Sequence, residues 1–233
     1  MIILGVETAT HQVGCALGGQ EGVLASFHAA RGRRHAEILT PAIQFMCEQV
    51  KVSMKEISCV AVDVGPGLFT GLRVGIAAAK ATALALNVPM IGFSSLDLLA
   101  FEARWSNRVV IPIIDGKRGE IFWAPYRRVS GGIQRLGDFR VTTPEELTND
   151  MLARKEETLL VGNGALLYKS QFEDNDYVEM GTVGNAYPSA AALVELAQPK
   201  ALKEEFVHAT ELKPLYLRKS DAEVNRDRDE AKR

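Results

Sequence analysis

The sequence predicts an α/β protein that is built from two related halves. Three short apolar segments, at 2–7, 13–17 and 23–27, are joined by turns and predict antiparallel strands. A strand, a glycine-rich turn and an apolar helix follow over 57–86. After the polar stretch 104–108, the order of strand, turn, strand and helix returns in a shorter form, which is why two related halves are expected.

The first half begins with a strand at 2–7 and a hairpin whose turn is 18–22, rich in glycine. Ser94 or Ser95 can cap the helix that closes this half, because serine side chains accept hydrogen bonds from the first free N–H groups of a helix. The other predicted elements are a helix at 34–51, a strand at 57–64, a helix at 70–86, a strand at 88–93 and a final helix that ends near 104.

In the second half, the residues at 143–146 clearly predict the start of a helix. Thr143 is a typical N-cap, Pro144 suits the first helical position, and Glu145 and Glu146 place acid in the first turn. The other predicted elements are strands at 109–114, 120–126, 133–140 and 159–161, a turn at 115–119, and helices near 165–172 and 189–198. We therefore predict an N-terminal subdomain at 1–105, a smaller C-terminal subdomain at 106–218, and a charged tail at 219–233 that is expected to be disordered.

Composition excludes several classes of protein. The chain has 233 residues, 47% of them hydrophobic, and a formal net charge of −2, so it can bury a core but lacks the basic balance of most nucleic-acid binders. The basic cluster Arg31, Arg33 and Arg34 is interpreted as a solvated helix entry. Three widely spaced cysteines, no basic N-terminal leader and no charge-free apolar run of about 18 residues predict a reduced cytoplasmic protein that does not cross a membrane.

The segment VDVGPGLFTGLRVG at 62–75 has two interpretations. A strand, a glycine turn and a helix N-terminus can hold a phosphate, or they can let two helices come very close. A Walker loop has four residues between its glycines, then Lys and Ser or Thr, whereas three residues separate Gly67 from Gly71 here. Thr70 also replaces the third glycine of the dinucleotide pattern. The segment alone favours a structural turn, with a phosphate site facing 7–10 as the alternative.

The two longest predicted helices have more apolar surface than one sheet requires. Polar residues of the first helix form one narrow stripe, and a helix on a sheet needs only about 100° of apolar surface. In the second helix, small residues recur every four positions from Gly71 to Ala83, a ridge that favours close helix packing. Burial within the chain's own domain is the alternative, but large apolar patches usually mark interfaces. The predicted partner contacts are Leu39, Ala42, Ile43, Met46, Leu72, Ile76, Ala79 and Ala83.

The residues predict no active site. Histidines are scattered along the chain without metal-ligand spacing, and no Gly-x-Ser-x-Gly nucleophile motif is present. The Ser94-Ser95 pair is interpreted as a helix cap rather than a nucleophile. A binding role is therefore favoured over a catalytic one.

Several motifs together resemble a known family. The segment ILGVETAT at 3–10 resembles the opening strand of the actin-like ATPase (ASKHA, RNase H-like) fold. With it, GPGLFTGLRVG at 65–75, the hairpin at 115–120 and the closing segment at 214–218 closely resemble the TsaB (YeaZ) family. The resemblance covers residues 1–218 and implies an α/β fold of two related subdomains, each with a mixed sheet flanked by helices.

The resemblance implies an accessory role in making threonylcarbamoyladenosine (t6A) in tRNA. Members of the family pair with TsaD, which transfers the threonylcarbamoyl group to an adenosine beside the anticodon of tRNAs that read codons beginning with A, and an ATPase, TsaE, joins the assembly. ATP and metal are then expected on the partner subunits, and tRNA is reached only through the complex. Without TsaD, a homodimer through similar helices is expected.

Comparison with the catalytic relative explains why no metal is expected on this chain. TsaD carries a His-Met-Glu-Gly-His metal motif just after an Asn-Val-Pro like that at 87–89, and Ser95 and Leu99 fall where its two histidines lie. Glu7 stands where ATP users of the fold commonly place aspartate. The alternatives are a stand-alone ATPase or metalloprotease of the same fold, or a purely homodimeric structural protein.

Overall fold

The computed structural model describes residues 1–30 and 35–218, and its first half is built on a five-stranded sheet. Strands β1, β2 and β3 are antiparallel, whereas β4 and β5 run parallel to β1. The strands lie in the order β3-β2-β1-β4-β5. Their bounds are β1 Ile2–Glu7, β2 Val13–Gly19, β3 Gly22–Ala29, β4 Ile57–Asp63 and β5 Met90–Phe93.

Helices cover both faces of this sheet. On one face α1 (His35–Val50) lies over β2 and β3, and α2 (Phe69–Leu86) lies beside it over β1 and β4. Their inward side chains and the sheet form one hydrophobic core, since both helices bury residues spaced three and four apart. The opposite face carries the last helix and part of α3 (Ser95–Glu102).

The second half is built on a seven-stranded mixed sheet, in which β6 pairs antiparallel with β7 and parallel with β11. Helix α3 packs on one face of this sheet as well, so it joins the two halves. Three helices cover the other face. The elements are β6 Val109–Lys117, β7 Glu120–Trp123, β8 Tyr126–Val129, β9 Gly132–Arg135, β10 Arg140–Thr142, α4 Pro144–Arg154, β11 Thr158–Val161, α5 Asn163–Leu167, α6 Lys169–Phe172, β12 Val178–Met180 and α7 Ala190–Leu202.

The last helix departs from the predicted division at residues 105 and 106. We placed α7 in the C-terminal subdomain, but its Ala190, Leu193 and Ala197 pack on the first sheet, against Ile3 and its neighbours. The chain then stays with that sheet, because Val207 and Met90 pair as a β-bridge with N···O distances of 2.9 and 3.0 Å. The first half is therefore completed by residues from the end of the chain.

Most predicted elements are present, and the two helix caps are confirmed in detail. Ser94 Oγ accepts a hydrogen bond from the Asp97 N–H at 3.0 Å, and the Ser94 N–H donates one to Asp97 Oδ2 at 3.1 Å. Thr143 and Glu146 form the same capping box at α4. The sequence pattern did not predict β12. It predicted one strand where the structure has β7 and β8, which are separated at Pro125 because proline has no N–H to donate within a sheet. Predictions on Arg31, Arg33, Arg34 and 219–233 lie outside the described residues.

The glycine segment at 65–75 packs the start of α2 against the end of β1. A Cβ atom on Gly75 would lie 2.0 Å from Thr8 Oγ1, and one on Gly71 would lie 2.2 Å from the Thr8 carbonyl oxygen. Thr8 Oγ1 donates a hydrogen bond to the Gly71 carbonyl at 2.8 Å, and the Leu68 N–H donates to the Ala9 carbonyl at 2.6 Å. The predicted role of this ridge in helix-to-helix contact is therefore wrong, because the glycines face the chain's own first strand.

We expect Gly75→Ala to destabilise the protein by about 1–3 kcal/mol, the usual cost of overpacking a filled site. The added methyl would meet Thr8 Oγ1, whose hydrogen bond to the Gly71 carbonyl holds it in place. Gly132→Ala is the matched control, since no atom lies within 4 Å of its added Cβ. Urea unfolding of the three proteins gives the free energies, and equal losses for both variants would contradict this account of the ridge.

Candidate functional site

The eight side chains that we predicted for a partner interface lie inside the chain's own core. All are between 0% and 8% exposed and belong to the layer between the sheet and its two helices, or to the contact under the glycine turn. The prediction of these residues as partner contacts was wrong. The four residues on each helix form its most apolar stripe, and that stripe packs inside the chain. The eight residues are Leu39, Ala42, Ile43, Met46, Leu72, Ile76, Ala79 and Ala83.

The opposite sides of the same two helices are open and carry apolar residues. Phe45 on α1 and Leu84 on α2 are each 56% exposed. Ala77, Ala81 and Ala85 are also exposed and are four residues apart, so they form a second row of small side chains that points away from the sheet. We call the exposed residues Pro41, Phe45, Ala77, Ala81, Leu84 and Ala85 the outer helix face.

Polar side chains surround the outer helix face on the α1 side. The polar stripe predicted for α1 is exposed at Glu37, Thr40, Gln44 and Glu48. On α2 the exposed residues between Ala77 and Ala85 are all apolar, although Lys80 and Thr82 are half-buried at the edges. An apolar centre with a polar border is the usual composition of a protein interface.

An aromatic cluster holds the first turn of α2. The Arg73 guanidinium lies 3.7 Å from the centre of the Phe69 ring and donates a hydrogen bond to the Tyr216 hydroxyl at 3.2 Å. Tyr216 stacks on Phe69 with 5.0 Å between ring centres. The closing segment at 214–218 therefore borders the outer helix face. The sequence alone did not predict this position.

Between the two halves lies a cavity of about 380 Å³. The glycine turn, residues 115–117 and the closing segment line it. Lys117 Nζ lies 2.6 Å from Asp115 Oδ2, so an internal carboxylate already balances the lysine charge. The glycines are explained by packing against β1, and the contacts of this cavity therefore lend no support to the phosphate alternative.

Two carboxyl groups are buried where β1 and β4 end. Glu7 Oε1 accepts a hydrogen bond from the Ala9 N–H at 2.8 Å, and Asp63 Oδ1 accepts from the Gly65 N–H and the Ser95 hydroxyl, each at 2.7 Å. The second oxygen of each group has no hydrogen-bond partner within the described residues. Burial raises the pKa of Glu7 well above its ordinary value, and burial raises the pKa of Asp63 to about 7.

Ser95 and Leu99 serve packing and hydrogen bonding at the start of α3. Ser95 is fully buried and orients Asp63, whereas Leu99 packs in the core between α3 and the second sheet. His35 Nε2 lies 2.9 Å from the Thr10 carbonyl and ties α1 to the loop after β1. Over residues 1–30 and 35–218, no three His, Cys, Asp or Glu side chains are grouped so that they could hold a metal ion.

The three cysteines are free and buried, as the sequence predicted. Burial raises the pKa of Cys15 and of Cys59 to about 12, which keeps both as neutral thiols.

Within the described part of the chain, α2 alone has the length and apolar composition of a membrane-spanning helix. Its inward stripe nevertheless packs on the first sheet, as in the core helix of a layered α/β fold.

Comparison with known proteins shows the class to which this arrangement belongs. The sequence model of the family described as TsaD: tRNA N6-adenosine threonylcarbamoyltransferase matches residues 23–226. The structure titled YeaZ from Pseudomonas aeruginosa superposes with a TM-score of 0.82 at 26% identity, over 93% of this chain and 99% of that one. The chain thus has the actin-like ATPase fold that the resemblance implied.

Two curated relatives narrow this class further. The tRNA threonylcarbamoyladenosine biosynthesis protein TsaB of Bacillus subtilis is 29% identical over 228 residues, which are 96% of this chain and 97% of the relative. The protein of the same name from Escherichia coli is 30% identical over 226 residues, 95% and 96% of the two chains. The chain belongs to the TsaB (YeaZ) family, within the broader family that includes TsaD.

We expect the stability of the protein to fall as the pH rises from about 4 to about 7. In this window the folded state keeps the proton of Asp63, whose pKa is about 7, while the unfolded chain has released it, so folding becomes less favourable with rising pH. Each retained proton contributes a slope of about 1.4 kcal/mol per pH unit. Asp63→Asn should make the slope measurably shallower in urea unfolding at several pH values.

The control for this measurement is Asp174→Asn, which removes an exposed carboxyl group. This variant should keep the slope of the unmodified protein. An unchanged slope in Asp63→Asn would show that the buried carboxyl group holds no proton in the folded state.

Proposed function

We propose that this chain is a non-catalytic subunit in the synthesis of threonylcarbamoyladenosine in tRNA, and that it binds TsaD through the outer helix face. One observation carries the proposal: in a chain of the TsaB family, two adjacent helices leave Phe45, Leu84 and a row of alanines uncovered. A contiguous exposed apolar patch with a polar border usually marks a site of protein–protein contact. The named relatives act in threonylcarbamoyladenosine biosynthesis, which supports the assignment of the pathway.

The geometry of the outer helix face favours a helical partner. Ala77, Ala81 and Ala85 offer a flat row on α2, and a row of small side chains lets a second helix come close. Phe45 and Leu84 stand beside this row as larger side chains that can enter a partner's grooves. TsaD shares the family of this chain and is expected to present equivalent helices. We therefore propose a bundle of helices in which each subunit contributes two.

The chemistry is assigned to the partners. Ser95 and Leu99 occupy the places of metal ligands without being able to bind a metal as histidines would, and Glu7 and Asp63 are buried with raised pKa values. We propose that TsaD holds the metal and transfers the threonylcarbamoyl group, that TsaE supplies ATP hydrolysis, and that this chain has no cofactor of its own. It supports activity by holding the docked helices of TsaD in one arrangement.

A homodimer is the second association that we propose for the same surface. When TsaD is absent, the outer helix face of a second copy can cover Phe45 and Leu84. Because both partners need the same residues, TsaD and the second copy should compete. A stand-alone ATPase or metalloprotease has no comparable support from the contacts described above.

The docking proposal predicts the effect of Ala81→Glu. Ala81 is exposed in the free chain, so the variant should fold, but docking would bury an unpaired carboxylate at a cost of about 3–5 kcal/mol. We expect binding to TsaD to weaken at least 100-fold in isothermal titration calorimetry. Ala79→Glu is not a suitable test, because Ala79 is fully buried in the core of this chain and the charge would unfold it.

Leu167→Glu is the matched control for this experiment. Leu167 is an apolar residue of α5 in the second half, 60% exposed and outside the outer helix face. The control should bind TsaD as the unmodified chain does. Full binding by a folded Ala81→Glu variant would place the TsaD contact on another surface.

Reconstitution tests the function itself. We expect a mixture of TsaD, TsaE, ATP, threonylcarbamoyl-adenylate and tRNA to form threonylcarbamoyladenosine at least tenfold faster when this chain is added. Nucleoside analysis of the digested tRNA measures the product. Equal rates with and without the chain would refute the accessory role, and product formed by the chain in the absence of TsaD would show that it is an enzyme.

A further inference from the structure

A second exposed surface lies on the other side of the first sheet from α1 and α2. Trp105, in the turn that follows α3, is 70% exposed, more than any other aromatic side chain in the described part of the chain. A tryptophan with most of its indole ring in water is unusual, since aromatic side chains are normally buried or held at interfaces. Neither the proposed docking with TsaD nor the core packing uses this residue.

Arginines surround the indole ring. Arg104 Cζ lies 4.9 Å from the centre of a Trp105 ring, and Arg128 Cζ lies 5.8 Å away. Arg104 also forms an ion pair with Glu195 at 3.0 Å, and Arg127 pairs with Glu156. Within residues 1–30 and 35–218, the Arg128 guanidinium has no carboxylate partner.

These residues line one open cavity of about 820 Å³, which we call the Trp105 groove. Its walls are the end of α3, the β8–β9 hairpin and one residue of α7. Three arginines and one glutamate line it. Since Arg104 and Arg127 are ion-paired with Glu195 and Glu156, the Arg128 charge is left over, and the groove is positive although the chain as a whole is acidic. Its lining residues include Arg104, Trp105, Arg127, Arg128, Gly131 and Glu195.

We propose that the Trp105 groove binds a single-stranded segment of RNA, with an unpaired base stacked on Trp105 and a phosphate held by Arg128. Stacking on an exposed aromatic ring beside cationic side chains is the common chemistry of single-strand recognition. An acidic polypeptide would satisfy the arginines but has no flat ring to stack on the indole. A nucleotide strand therefore uses more of the groove than a peptide does.

The placement of the groove suits a subunit that already has a partner. Trp105 follows α3, and Glu195 belongs to α7, two helices on the face of the first sheet opposite the outer helix face. Docking of TsaD on α1 and α2 therefore leaves the groove open. The inference rests on the proposed function in one respect, because it identifies the RNA as a part of the tRNA substrate.

The chain offers a direct optical test of this proposal. It has two tryptophans, and Trp123 is 1% exposed with its indole N–H donating to Thr142 Oγ1 at 2.9 Å. An RNA that stacks on the protein surface can therefore quench only Trp105. We expect a twelve-nucleotide oligouridylate, added to the full chain at low salt, to quench the fluorescence in a saturable manner and to lose affinity as salt is raised.

Arginine substitutions then test how much the charge of Arg128 contributes to RNA binding. Arg128→Ala should raise the dissociation constant of the oligouridylate about fivefold and lower its salt dependence, whereas Arg128→Lys should keep the salt dependence. Arg154→Ala is the control, since Arg154 is an arginine of α4 outside the groove, paired with Asp150. Absence of quenching, equal binding by Arg128→Ala, or stronger quenching by polyglutamate than by RNA would each overturn the proposal.

Measurement in the complex connects the groove to the tRNA substrate. With TsaD and TsaE present, Trp105→Ala should raise the KM for tRNA about fivefold, while kcat and co-elution with TsaD stay unchanged. Unchanged KM in this variant would overturn the role of the groove in the complex. Failure of the unmodified chain to bind TsaD would instead contradict the proposed function, and the titration of the chain alone with oligouridylate would still decide whether the groove binds RNA.

Discussion

The close contact between the start of α2 and the end of β1 determines the rest of the architecture. Gly71 and Gly75 have no side chains at the point where the helix meets Thr8, and a hydrogen bond from Thr8 Oγ1 to the Gly71 carbonyl fixes the distance. His35 ties α1 to Thr10 in the same loop. Both helices are thus anchored to one short segment that follows the first strand, and their orientation on the sheet is set there.

This anchoring decides which sides of the helices remain open. Because the glycines and the residues that follow them at intervals of three and four face the sheet, the row from Ala77 to Ala85 must face outward. The chain then presents apolar side chains on one face of its first sheet and the arginine-lined Trp105 groove beyond the other. The proposed roles assign these two surfaces to different partners, TsaD on one side and RNA on the other.

Patterns of neighbouring residues predicted most helices and strands. They did not predict which side chains of α1 and α2 face outward. The caps at Ser94 and Thr143 depend on neighbouring residues in the sequence, and the structure confirms both. A helix that is apolar on nearly all sides does not show which side lies on the sheet. The most hydrophobic stripe of each helix, which the sequence pattern assigned to the interface, forms the core. The return of α7 to the first sheet and the assembly of the Trp105 groove join distant segments, which no local pattern encodes.

The most direct test of the central claim measures the outer helix face itself. Carbene footprinting labels exposed side chains, and it can be applied to the chain alone, as a dilute monomer, and in complex with TsaD. The account predicts that labelling of Phe45 and Leu84 falls several-fold in the complex, while labelling of Val183, which is 79% exposed in the second half, stays constant. Unchanged labelling of both helices in a complex that forms normally would contradict the claim that these helices hold the partner.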